Sequence, residues 1–163
     1  MSLHFQNKSK LVNSVFSEVY QKYDLMNDIM SLGVHRLWKK NLIKWMKPAN
    51  DASLIDVASG TGDIAKLFLN ETKNTGEITC IEPNVLMLNQ GKKKLKKYEN
   101  IKWINAAAEK IPTANNTFDY YSISYGIRNV SDINNVLKEA FRVLKPGGRF
   151  MCLEFSKIDN ELL

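Results

Sequence analysis

Up to residue 46 the apolar positions recur every three or four residues; from residue 53 they come in short blocks separated by amphipathic stretches. Leu11, Val12, Val15, Phe16, Val19, Tyr20 and Tyr23 fall on helical spacing. A second helical stretch covers 25–30, before Gly33. A third is predicted from His35 to Met46, with Leu37, Trp38, Leu42, Trp45 and Met46 on or near one face and Pro48 just past its end. Beyond residue 50 the pattern predicts strands at 53–58, 77–82, 101–106, 118–125 and 149–156. Helices are predicted at 62–71, 84–97 and 132–145, and Pro146-Gly147-Gly148 reads as a tight turn after the last. Strands alternating with helices imply an α/β fold, a mostly parallel sheet with helices on both faces. The chain thus divides into an N-terminal helical segment, 1–50, and an α/β unit, 51–163.

One loop breaks this regularity with candidate chemistry. Asp56-Val57-Ala58-Ser59-Gly60-Thr61-Gly62-Asp63 joins the first predicted strand of the α/β unit to the helix after it. Glycines here let a ligand approach the backbone closely. Glu82 ends the next strand, where a carboxylate can accept hydrogen bonds from both hydroxyls of a ribose. In an open parallel sheet ligands bind outside the carboxyl ends of the strands, so the ends at Asp56, Glu82, Ala107 and Ser124 are expected to converge on one crevice. This is the Rossmann-like arrangement, and it implies an adenosine-containing cofactor. Gly60-Thr61-Gly62-Asp63-Ile64-Ala65 also satisfies the loose dinucleotide pattern, a weak signal alone. Asp63 is expected at the helix N-terminus, where a pyrophosphate would bind, and Asp56 adds a second negative charge. A loop flanked by two aspartates suits the sulfonium and ammonium of S-adenosylmethionine better than a dinucleotide. A dinucleotide site and a purely structural glycine turn stay open as alternatives.

Composition narrows the picture. The chain has 163 residues, 44% of them hydrophobic, a net charge of +6, and no apolar run long enough to span a bilayer. Its N-terminus carries no signal-peptide pattern, and the expected location is cytoplasmic. Lys92-Lys93-Lys94 with Lys96-Lys97 reads as a solvated helix face, with attraction to an anionic membrane surface as the functional alternative. Aromatics are not interleaved with these lysines, so no nucleic-acid platform is expected. Cys80 and Cys152 fall in separate strands and read as buried, reduced thiols. With only His4 and His35 present, no metal site is expected.

Tyr23-Asp24-Leu25-Met26-Asn27-Asp28 and Gly33-Val34-His35-Arg36-Leu37-Trp38-Lys39 resemble the N-terminal signature of the ubiquinone/menaquinone biosynthesis C-methyltransferases, the UbiE/MenG type. Asp56–Asp63 resembles their cofactor loop. Ile123-Ser124-Tyr125-Gly126-Ile127-Arg128-Asn129-Val130 is similar to their signature after the fourth strand. Arg142–Arg149 and Leu153-Glu154-Phe155-Ser156-Lys157 are similar to their last shared block. The resemblance runs from about Val15 to Lys157. It implies a class I S-adenosylmethionine-dependent methyltransferase whose cofactor meets Thr61, Glu82, the Ala107–Ala108 backbone and Ser124, with Gly60 and Gly62 shaping the loop. Glu82 stands where the family usually has Asp, and Ala107 where a polar residue is common.

The implied acceptor is a polyprenyl benzoquinol or naphthoquinol, which brings possible peripheral membrane contact. Deprotonating a quinol needs a base or a fixed positive charge. The candidates are His35, Asp28 and Tyr23 as base, and Arg128 with Asn129 as stabilisers of a phenolate. Because the family's sequences continue past the Leu-Glu-Phe-Ser-Lys block, the resemblance also implies a C-terminally truncated chain. Strand 149–156 is then expected to be an open edge that favours a homo-oligomer; the alternative functions are a cofactor-binding or accessory protein without activity and a methyltransferase for another small acceptor.

Overall fold

The computed structural model describes residues 34–155. The predicted helices at 11–23 and 25–30 lie outside the described residues, as do Tyr23, Asp28 and the segment from Ser156 onward. Within them the order is α1 (Val34–Met46), β1 (Ser53–Val57), α2 (Asp63–Glu71), β2 (Glu77–Ile81), α3 (Val85–Lys94), β3 (Ile101–Ile104), β4 (Phe118–Ser124), a 3-10 turn (Ile127–Asn129), α4 (Ile133–Val143) and β5 (Leu144–Leu153). Two helix starts are written in the sequence as side-chain caps. Asn84 Oδ1 accepts from the N–H groups of Leu86 and Met87 at 3.0 and 3.1 Å. Asp132 Oδ1 accepts from Asn135 N–H at 3.1 Å.

The five strands form one sheet in the order β3-β2-β1-β4-β5, every neighbouring pair parallel. The chain runs outward from β1 to β3, then returns to the other side of β1 for β4 and β5. The point of reversal therefore lies between β1 and β4, where open α/β sheets bind their ligands. One core packs Leu54, Ile78 and Cys80 against Leu42, Ile43 and Met46 of α1 and Ile64, Phe68 and Leu69 of α2. The other packs Ile55, Tyr121 and Ile123 against Val136, Ala140 and Val143 of α4. Alternate strand residues thus feed opposite faces.

Four expectations are corrected. The buried face of α1 is His35, Leu42, Ile43 and Met46, while Leu37 and Trp45 are exposed at 56% and 74%. Leu42 and Met46 are buried as expected, but Leu37 and the tryptophans lie beside the face that meets the sheet. The last helix ends at Val143, and β5 pairs from Leu144 before Lys145–Gly148 loop out and pairing resumes at Arg149. The Pro-Gly-Gly segment is this bulge, and Gly148 sits close against backbone oxygens of Lys145 and Asp119. The third strand stops at Ile104, short of Ala107. Cys152, expected inside, is exposed, because β5 is an edge of the described sheet with Phe150 and Cys152 on its open face.

Candidate active site

The β1–α2 loop is shaped by backbone conformations that few residues accept. Ala58, Gly60 and Gly62 have φ of 52°, 56° and 85°. At Gly62 a side chain is also sterically refused: a Cβ there would lie 2.7 Å from Leu95 Cδ1 and 2.9 Å from Trp103. Ala58 in turn meets Gly126 after β4, where an added Cβ would come within 2.6 Å of the Ala58 methyl. The turns after β1 and β4 thus press on each other across the reversal point. Tyr125, between Ser124 and Gly126, is held at φ 58°, a left-handed conformation costly for a bulky residue.

Glu82 ties this loop to β2. Its Oε2 accepts from Gly60 N–H at 2.8 Å and its Oε1 from Asn84 N–H at 2.9 Å. The carboxyl is buried, and burial raises its pKa against the lowering effect of those two N–H groups. A cavity of about 70 Å³ opens here, lined by Ala58, Gly60, Glu82, Met87, Ser124, Tyr125, Gly126 and Asn129. The Oγ of Ser124 is buried with no hydrogen-bond partner among the described residues. Convergence at the strand ends is therefore as expected for the first, second and fourth strands. The third strand does not take part in the same way: Ala107 is exposed in a turn, and Ala108 belongs to the core beneath α4.

Asp56 and Asp63 differ sharply. Asp56 is fully buried on β1 and accepts from Ser122 Oγ at 2.7 Å, while its other oxygen has no partner among the described residues. Burial pushes its pKa up to about 7, against the opposing effects of Ser122 and Lys39 and with help from Glu82 and Asp63. Asp63 starts α2 as expected, but it is not a free charge. Lys39 from α1 and Lys94 from the end of α3 each donate to one of its oxygens at 2.9 Å. Burial alone would raise the Asp63 carboxyl; the two lysines hold it well below the usual range. The expectation that Asp63 repels a pyrophosphate is corrected accordingly, and the negative charge at the crevice comes from Glu82 and the ionised fraction of Asp56.

Thr61 is buried, and its hydroxyl accepts from Lys94 Nζ at 3.2 Å. Lys39 and Lys94, which hold Asp63, were not singled out as site residues by the sequence. Lys39 had a signal: it shares the spacing of His35, Leu42, Ile43 and Met46, a lone cation on an otherwise buried helical face. Lys94 was hidden inside a cluster of lysines, Lys92-Lys93-Lys94 and Lys96-Lys97.

The candidates for proton transfer are less concentrated. Arg149 donates to the Met46 carbonyl at 3.4 Å, and Lys39 reaches Asp63, so α1 runs antiparallel to the strands with its first turns at the crevice end. His35 is buried there, one turn before Lys39, but is not among the residues lining the cavity. Arg128 is half-exposed and bonds Glu154 at 2.9 Å, with its guanidinium 5.5 Å from the Phe155 ring. Asn129 lines the cavity. Tyr125 also lines it, but burial, aided by Glu154, pushes its phenol up to about 12, which removes it as a base near neutrality. A larger hollow of about 410 Å³ lies at the opposite end of the sheet, between Asp119, Lys145 and Arg149. Its Lys145 and Asp119 pair with each other at 2.8 Å.

The sheet order, the glycine loop and the acid ending β2 define the Rossmann-like class I fold of S-adenosylmethionine-dependent methyltransferases. A solved example, a SAM-dependent methyltransferase from Aquifex aeolicus, matches with a TM-score of 0.63 at 21% identity, over 71% of this chain and 62% of that one. The family profile of the ubiE/COQ5 methyltransferases matches residues 4–163, and the chain belongs to that family. Among its relatives, the ubiquinone/menaquinone biosynthesis C-methyltransferase UbiE of Rickettsia bellii is 52% identical over 96% of this chain and 65% of its own length. The protein of the same name from Rickettsia prowazekii is 50% identical over 98% of this chain and 66% of its own. This chain thus spans about 65% of the length of such relatives.

Proposed function

We propose that the crevice between β1 and β4 binds S-adenosylmethionine, and that the protein C-methylates a benzoquinol or naphthoquinol. The observation carrying the cofactor reading is Glu82, a buried carboxylate beside the backbone of Gly60, with the Ser124 hydroxyl, which has no partner among the described residues, in the same cavity. The residues fit the group. Glu82 would take the ribose hydroxyls on its remaining lone pairs, Ser124 offers a hydroxyl to a polar atom, and Glu82 with ionised Asp56 favours a cationic sulfur. The cofactor, when bound, supplies a methyl group activated as a sulfonium.

The quinol reading rests on the names of the relatives and on Asn129, which lines the cavity, with Arg128 next to it in the chain. Arg128 can stabilise a phenolate as a fixed cation. Its pairing with Glu154 favours a second reading, in which the chain binds the cofactor without transferring its methyl.

Incubation with S-adenosylmethionine and a short-chain demethyl quinol in anionic vesicles separates the two. The first reading predicts a ring-methylated product whose rate falls as salt rises, since a screened lysine face loses the membrane. Methylation at oxygen alone overturns the C-methylation reading. Saturable cofactor binding with no product supports the second.

A further inference from the structure

We propose that Lys39 and Lys94 are positioning residues for the cofactor-binding loop, acting through Asp63. Three segments far apart in sequence meet on this one carboxylate: α1 through Lys39, the loop and first turn of α2 through Asp63 itself, and the end of α3 through Lys94. The two lysines take different oxygens, so the carboxylate is held at both ends and its plane is fixed. Lys94 makes a second bond, to the Thr61 hydroxyl, which sets the rotamer of the residue between the two loop glycines. On the other side the same loop is held by Glu82 through Gly60. The segment Gly60–Asp63 is therefore clamped from both directions, although Gly60 and Gly62 make its backbone intrinsically loose.

Burial makes the clamp matter. The side chains of Lys39, Lys94 and Asp63 are 12%, 32% and 29% exposed, so solvent screens the bridge less than it screens an ordinary surface pair. Both lysines are needed for balance. The Asp63 charge raises the cost of ionising buried Asp56, and Lys39 opposes that while also holding the Asp63 carboxyl down. Neither lysine lines the cavity. Their effect on a ligand is thus indirect, through the placement of the Gly60 and Thr61 backbone and the Thr61 hydroxyl. A further consequence is that α1, which precedes the sheet, is fastened to the loop, so loop order and the seating of α1 rise and fall together.

This inference rests on the cofactor reading for its ligand, but its geometry is tested without one. The variants are Lys39→Met, Lys39→Arg, Lys94→Met, Asp63→Asn and the double variant Lys39→Met/Asp63→Asn. Two readouts are taken: hydrogen exchange of amides 60–64 in the ligand-free protein, and calorimetric affinity for S-adenosylhomocysteine. Each methionine variant is expected to speed exchange in the loop and to weaken binding about tenfold, the scale of one charge-assisted hydrogen bond. Lys39→Arg is expected to restore most of both. In the Asp63→Asn background, Lys39→Met should add little, because its partner charge is gone. Unchanged loop exchange together with affinity within about twofold of the parent, even if the melting temperature falls, overturns the proposal and leaves a structural bridge only. If the parent chain does not bind S-adenosylhomocysteine, the cofactor reading fails, and the exchange data alone decide the role of the lysines.

Discussion

Gly62→Ala is expected to cost on the order of 3 kcal/mol of folding stability, about 1–2 from forcing a Cβ into the left-handed region and the rest from overpacking. The strain follows from φ of 85°, and the overpacking from Leu95 and Trp103 at 2.7 and 2.9 Å from the added carbon. Neither neighbour can retreat easily, since Trp103 is also wedged against Gly91, where an added Cβ would lie 2.3 Å from the same ring. Gly147→Ala is the matched control. It has a similar φ of 79° but nothing within 4 Å of the added carbon, so it should cost about 1–2 kcal/mol, the conformational part alone. Urea unfolding of the two variants checks the difference. Equal losses would show that the loop is not packed as described.

The second large effect is at Asp56. Its folded pKa of about 7 lies above the ordinary carboxylate value of 3.8, so the folded state binds the proton more tightly than the unfolded one. Stability from this group is therefore fully present below pH 3.8 and is lost as pH rises through about 7. The loss reaches on the order of 2–4 kcal/mol by pH 8. Asp56→Asn removes the titration and keeps an acceptor for Ser122, although its amide N–H groups are buried and cost part of the gain. The variant should be more stable than the parent at pH 8, with the advantage shrinking as pH falls toward 5. It should also bind S-adenosylhomocysteine more weakly, since a charge kept at a cost in stability is a feature of functional sites. A variant less stable than the parent at pH 8, in parallel denaturation curves, would contradict the assignment.

The fold was legible because its elements announce themselves locally. Short, mostly apolar blocks such as Leu54–Val57 and Ile78–Ile81 have the length and β-branched content of buried strands, and Asn84 and Asp132 mark helix starts by capping chemistry. Residues whose role depends on distant contacts were harder to read. Nothing local reveals that Lys94 reaches back 31 positions to Asp63, or that Asp56 is wholly enclosed. The left-handed turns at Ala58 and Tyr125 are equally silent, because neither residue type signals positive φ. Topology placed Glu82 and Ser124 together, the glycine loop added Gly60, and Asn129, named from the family resemblance, lines the same cavity. Ala107 and Ala108 were not brought into the cavity, because β3 stops at Ile104 and the chain turns away toward α4. Exposed Leu37 and Trp45 on α1 show the limit of hydrophobicity as a guide when a buried histidine and a partly buried lysine share the face with Leu42, Ile43 and Met46.

The central claim, that this crevice holds an S-adenosyl cofactor through Glu82, is tested most directly by calorimetric titration of the parent chain and Glu82→Gln with S-adenosylhomocysteine and, separately, with NAD. Glutamine preserves the volume and one acceptor toward the Gly60 and Asn84 N–H groups but removes the charge. The predicted result is one saturable site for S-adenosylhomocysteine, weakened by about 1–3 kcal/mol in Glu82→Gln, and no comparable site for NAD. Tighter binding of NAD than of S-adenosylhomocysteine, or binding indifferent to the loss of the Glu82 charge, would contradict it.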